Sequence, residues 1–152
     1  MEGYFEDWHV GDRHQARQRV ITRTDIELFT DLTGIELPLF LDEEYARKAG
    51  FKTQLTPGLL FIPLALGGLY QLGLLNNIIA WVGLDKVKFT APVYPNDAVR
   101  SVIEVIQKRG TRRQDRGLIT FKLVIEKGNG ETASQGELTF LFRRRQREDC
   151  SL

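Results

Sequence analysis

One cysteine, two histidines and one methionine in 152 residues leave little material for several kinds of chemistry. The lone Cys150 cannot form an internal disulfide, so no covalent framework holds this chain, and a reducing, cytoplasmic compartment is its simplest home. Two histidines and one thiol offer no metal-ligand spacing, and no metal site is expected. The formal charge is only +1, which argues against a surface built to seek nucleic acid. No GxGxxG, no P-loop and no Ser/His/Asp constellation is present. The N-terminal MEGYFEDWHVGD is acidic and lacks the basic-then-apolar pattern of a signal peptide. The last absence is local: no charged residue stands between Lys52 and Asp85.

That uncharged run is long enough for a bilayer span, yet Pro63, Gly67, Gly68, Gln71, Asn76 and Asn77 interrupt it and its flanks carry few Lys or Arg anchors. It is read instead as a helix buried all round inside a globular protein, starting near Pro57 and open to a break at Pro63 or Gly67-Gly68. What surrounds it suits one domain over residues 1–152. Apolar content is 42% and charged content 27%, enough to build a core.

The remaining pattern is legible in blocks. Residues 14–21, HQARQRVI, suit an edge strand. TRTDIELFTDLTG predicts a helix, with Thr24 and Glu27 as a capping box and Gly34 as its C-cap. DEEYARKAG predicts a second, capped by Asp42, with Glu43 and Glu44 in the first turn, Arg47 and Lys48 in the last, and Gly50 ending it. From about residue 85 everything reads as strand: KVKFT, AVRSVIEVIQ, GLITFKLVIE and ELTFLFR. Phe121, Leu123 and Ile125 share one face, as do Leu138, Phe140 and Phe142, and Gly128-Asn129-Gly130 marks a hairpin. The expected architecture is α+β, an antiparallel sheet wrapped around one long central helix. So long an uncharged helix would outrun the cover of a five-stranded sheet, which implies a partner subunit.

Between the two predicted helices lies an apolar loop with Ile35, Leu37, Leu39, Phe40 and Leu41. Its context explains it. FEDWHVGD at 5–12, FTDLTG before the loop, Pro38, Asp42 and Tyr45-Ala46 within and after it, TPGLLF at 56–61 and KFTAPVYPND at 88–97 follow one another in a familiar order. Together they resemble the MaoC-like hydratases of the hotdog fold, in which Asn96 takes the place of a Gly. The resemblance implies that Ile35 and Phe40 stand where relatives carry a catalytic Asp and His, and Leu37 where they carry Asn. In relatives the Asp and His activate a water that adds across the double bond of a 2-enoyl thioester. Ile and Phe can neither take nor deliver a proton.

The resemblance also implies a thioester site at Pro57, Gly58 and Leu59, where backbone N–H groups of a helix N-terminus meet the carbonyl without any side chain. The residue-level alternative is that Gly58 only permits a tight start to the helix. A binding role would need a tunnel lined by Ile35, Leu37, Phe40 and Leu59. Three readings stay open. The chain binds an acyl-CoA or acyl-carrier thioester without hydrating it, or as the inactive partner of an active hotdog subunit. It is an active (R)-specific enoyl-CoA hydratase, dehydratase or thioesterase with non-standard residues. Or it is a structural dimer whose tunnel is filled by Ile35 and Phe40. No cofactor is expected beyond the CoA thioester itself. A homodimer or higher homo-oligomer is expected, without nucleic acid and without a membrane span.

Other polar groups read more simply. Glu36, Asp31, Thr56, His9 and His14 suit solvation or capping better than catalysis. Lys88, Arg109, Arg112 and Arg113 could meet CoA phosphates but suit a solvated sheet edge, as does the RRRQRE run from Arg143.

Overall fold

In the computed structural model, which describes residues 1–146, a short helical turn at Phe5–Asp7 precedes strands β1 (Arg13–Gln15) and β2 (Arg19–Val20). Helices α1 (Arg23–Thr33), α2 (Pro38–Leu41) and α3 (Glu43–Lys48) follow. A 3-10 turn at Gly58–Leu60 then leads into α4 (Phe61–Gln71), and the chain finishes in β3 (Ile78–Phe89), β4 (Ala98–Gly110), β5 (Arg116–Lys127) and β6 (Thr132–Arg143). The six strands form one sheet in the order β1-β4-β5-β6-β3, with β2 also paired to β4, and every pairing is antiparallel. The sheet thus has one strand more than expected.

Period-2 patterning decides which face the long strands turn inward. Ile119, Phe121, Leu123 and Ile125 of β5 are buried together with Leu138, Phe140 and Phe142 of β6. Trp8 from the N-terminal segment closes on them, its ring 4.9 Å from that of Phe121 and edge-on to it. Such pairs add roughly 1 kcal/mol beyond the burial of their area. The hairpin at Gly128–Gly130 forms, with Gly130 at φ 87°.

The uncharged run is not one long helix. α4 ends at Gln71, Gly73 turns the chain at φ 77°, and the same apolar run continues as β3 from Ile78, seven residues before the predicted strand onset. Ile78, Ile79, Trp81 and Val82 are β-formers, and the Asn76-Asn77 pair before them suits a turn. Pro63 does not break the helix, because it lies in the first turn, where its missing N–H loses no bond. Nor is α4 buried all round. Phe61, Ile62, Ala65 and Leu69 are buried, whereas Pro63, Gly67, Tyr70 and Gln71 are exposed. The reason for a partner therefore moves from the helix to edge strand β3, where Trp81, Val82, Leu84 and Phe89 are 42%, 52%, 40% and 52% exposed. Among the described residues no helix is long and apolar enough to cross a membrane.

Helix α1 is capped two residues earlier than expected. Thr22, not Thr24, is the N-cap, and its box partner is Asp25, not Glu27: the Thr22 hydroxyl accepts from the Asp25 N–H while the Asp25 carboxylate accepts from the Thr22 N–H. Both threonines fit the pattern, but Thr22 is the extended one that meets the chain arriving from β2. Gly34 ends α1 at φ 73°, and Asp42 caps α3 by accepting from the N–H groups of Glu44 and Tyr45.

Candidate functional site

The apolar loop is ordered by its backbone. Thr33 Oγ1 accepts from the Ile35 N–H at 3.2 Å, Pro38 opens α2 at its first position, and the Asp42 N–H closes that turn on the Pro38 carbonyl at 2.9 Å. This extra helical turn is absent from the sequence reading, although a Pro at N1 was its signal. The segment 51–57 then straps across the loop. The Leu55 N–H donates to the Leu39 carbonyl at 2.8 Å, and the buried Gln54 donates from Nε2 to the Phe40 carbonyl at 2.9 Å. The Thr56 N–H donates in turn to the carbonyl of the buried Val93 at 2.8 Å. Gln54 is a residue of this candidate region that sequence reasoning missed, since a glutamine in a loop carries no pattern of its own.

The six predicted contact residues divide into two groups. Phe40 is half-buried and packs against the core, with Ile35 half-buried beside α1. Leu37 and Leu59 are 49% and 52% exposed, so within one chain the four predicted lining residues do not close a tunnel. Pro57 is buried and Gly58 half-buried at the start of the helical segment. There the first N–H groups have no partner within the helix, a property of any helix N-terminus. A Cβ added to Gly58 would lie 2.5 Å from Cδ1 of Phe89, so the ring of β3 occupies the space a side chain would need. The tight-start reading of Gly58 therefore has a structural basis, whatever else its N–H does.

Among the described residues, none of the acids and imidazoles weighed from the sequence joins this arrangement. Glu36 and Asp31 are exposed. His14 lies on β1, at the sheet edge opposite β3, with its ring edge-on to Trp8 at 5.4 Å, and His9 is exposed in the N-terminal turn. Beside Gln54 in the strap, the buried Oγ1 atoms of Thr53 and Thr56 have no hydrogen-bond partner among the described residues. Among the described residues no group of three His, Cys, Asp or Glu is placed to hold a metal ion.

The basic candidates are dispersed. Lys88 sits level with Gln135 of β6, whereas Arg109 faces Leu118, itself level with Leu141. Six residues along a strand separate the two by roughly 20 Å. Arg113 pairs with Asp115 at 3.0 Å in the β4–β5 turn, and Arg112 is exposed there. Arg113 and the neighbouring Arg116 hold the Asp115 carboxyl at about 2, Arg116 through the larger effect of its hydrogen bond. Of the basic tail, Arg145 is exposed and pairs with Glu2 and Asp7 at 2.8 Å each, while residues 147 and 148 and Cys150 lie outside the described residues.

In the segment 91–97, Asn96 adopts φ 73°. A left-handed position is where Gly is ordinarily used and Asn is the tolerated substitute, so Asn96 suits the backbone it adopts.

Comparison with known proteins agrees with this geometry. Residues 7–127 match the MaoC like domain family. A 3-hydroxybutyryl-CoA dehydratase of Methylorubrum extorquens is 28% identical over 121 residues, 74% of this chain and 70% of that protein. The structure of a monoamine oxidase regulatory protein from Archaeoglobus is 31% identical and superposes with a TM-score of 0.88, covering 94% of this chain and 95% of the other. A Mycobacterium tuberculosis protein with a double hotdog fold superposes with a TM-score of 0.84 over 98% of this chain and 46% of its own length, at 15% identity, and shows the fold alone. The sheet and central helix described above are a hotdog fold.

Proposed function

This chain belongs to the MaoC-like domain family, and on that premise we propose that it binds an acyl-CoA or acyl-carrier thioester without hydrating it, alone or as the inactive partner of an active hotdog subunit. The observation that carries this reading is the loop at 35–40. It is held by Gln54 and Leu55, yet presents Ile35, Leu37 and Phe40 where addition of water would need a base and an acid. Apolar groups there suit an acyl chain. The N–H groups of Gly58 and Leu59 would meet the thioester carbonyl, aided by the helix dipole, and this contact needs no ionisable side chain.

Assembly supports the same reading. The half-exposed Trp81, Val82, Leu84 and Phe89 on edge strand β3 favour a homodimer joined edge to edge, or pairing with another hotdog subunit. A second subunit would also cover the exposed Leu37 and Leu59, which one chain leaves open. The reaction class needs no cofactor beyond the thioester, and the single Cys150 suits a cytoplasmic protein. The second reading, an active hydratase, dehydratase or thioesterase with non-standard residues, has the unpartnered Thr53 and Thr56 hydroxyls in its favour.

The test follows loss of the conjugated thioester absorbance over a panel of 2-enoyl-CoA chain lengths, alongside calorimetric titration of a saturated acyl-CoA. Binding without turnover is the expected result. Turnover that persists through purification overturns the non-hydrating reading and turns attention to Thr53 and Thr56. Where the wild type binds without turnover, the double variant Ile35→Asp, Phe40→His should raise hydration about 10²-fold or more above the wild-type background, the scale of general acid–base catalysis.

A further inference from the structure

A cavity of about 490 Å³ opens at the edge of the sheet opposite β3, between α4, the β1–β2 connection and β4. None of Ile35, Leu37, Phe40, Pro57, Gly58 or Leu59 lines it, so it is separate from the loop. Its volume falls in the range that takes small organic ligands. The floor is apolar: Phe61 and Ala65 of α4, Val99 of β4 and Ile125 of β5 all reach it. At Gly68 the helix comes so close that an added Cβ would lie 2.9 Å from that of Ala16, which closes the cavity on one side. At Gly67 the same construction meets nothing within 4 Å, so the helix leaves room there.

The rim is basic, but most of its charge is used. Arg19 is paired with Asp25 at 2.8 Å and Arg100 with Glu126 at 3.0 Å. Arg17 lines the same cavity and makes no ion pair among the described residues. An apolar floor with one free guanidinium at its mouth suits a hydrocarbon body carrying a single carboxylate. The phosphates of a CoA would ask for more cations than one. We propose that this cavity is a second binding site for a small amphipathic organic acid, with the carboxylate on Arg17 and the hydrocarbon over Phe61 and Val99.

The experiment is calorimetric titration of the intact protein with octanoate, octanol and octylamine. Octanoate should bind best. Arg17→Gln, a change on an exposed side chain, should weaken octanoate by about tenfold and leave octanol unchanged, as loss of one charge-assisted bond implies. Gly67→Leu should put a side chain into the cavity and abolish octanoate binding while the protein stays folded, since Leu is a better helix former than Gly. Equal affinity for octanoate and octanol overturns the proposal, as do octanoate binding that survives Gly67→Leu and no binding at millimolar concentration. The thioester site is read out separately with acyl-CoA, so a failure there leaves this result interpretable.

Discussion

The ring of Phe89 lies across Gly58: a Cβ built on Gly58 would stand 2.5 Å from Cδ1 and 2.6 Å from Cε1 of that ring. Edge strand β3 and the start of the central helix are thus held together at the point where the loop strap ends. Gly58→Ala should force the ring aside at about 1–2 kcal/mol, an overpacking cost moderated by the half-exposed position of Phe89. Urea unfolding of Gly58→Ala, Phe89→Ala and the double variant measures the coupling. If the two single losses simply add, the contact has no energetic weight.

Gln54 holds the Phe40 carbonyl from within a buried position. Gln54→Leu should cost about 1–2 kcal/mol, because a half-buried carbonyl loses its donor. Amide exchange should quicken at residues 35–42 and stay unchanged in β5. Uniform quickening over the whole chain would mean that Gln54 acts on global stability rather than on the loop.

The capping box of α1 carries a pH dependence. Partial burial pulls the Asp25 carboxyl up, but the Thr22 N–H, the Thr22 hydroxyl and Arg19 together hold it below its ordinary 3.8. A carboxyl depressed in the folded state adds stability above its unfolded pKa, and that stability is lost as pH falls through the folded value. Asp25→Asn should therefore cost on the order of 1 kcal/mol at pH 7 and progressively less below pH 4. Unfolding midpoints of both proteins from pH 7 to pH 3 test the sign. A gap that widens toward acid contradicts it.

Val82 is exposed in the middle of β3. Val82→Lys places a charge on an edge that we expect to pair with a second subunit, so it should convert the assembly to monomers with the fold intact. Sedimentation velocity of both proteins gives the answer. An unchanged mass for the variant would exclude β3 as the interface.

How much of this was legible in the sequence differs from element to element, for physical reasons. The period-2 faces of β5 and β6 stood out because each face meets one environment along its whole length, core or solvent. Gly34, Asp42, Gly50 and the Gly128–Gly130 turn stood out because backbone dihedrals and local hydrogen bonds decide them. The apolar character of the loop at Ile35, Leu37 and Phe40 was visible because the residue types are read directly and sequence motifs frame them. The split of the uncharged run into α4 and β3 was not, because a fully apolar stretch has the same composition as helix or strand when no polar face marks its period. The cap at Thr22 rather than Thr24 depended on how the chain leaves β2. Three features belong to tertiary structure alone: Gln54 bonded to the Phe40 carbonyl, Phe89 seated on Gly58, and the cavity beside Arg17. Each joins segments far apart in the chain, and no local pattern encodes which side chain will arrive from the other side.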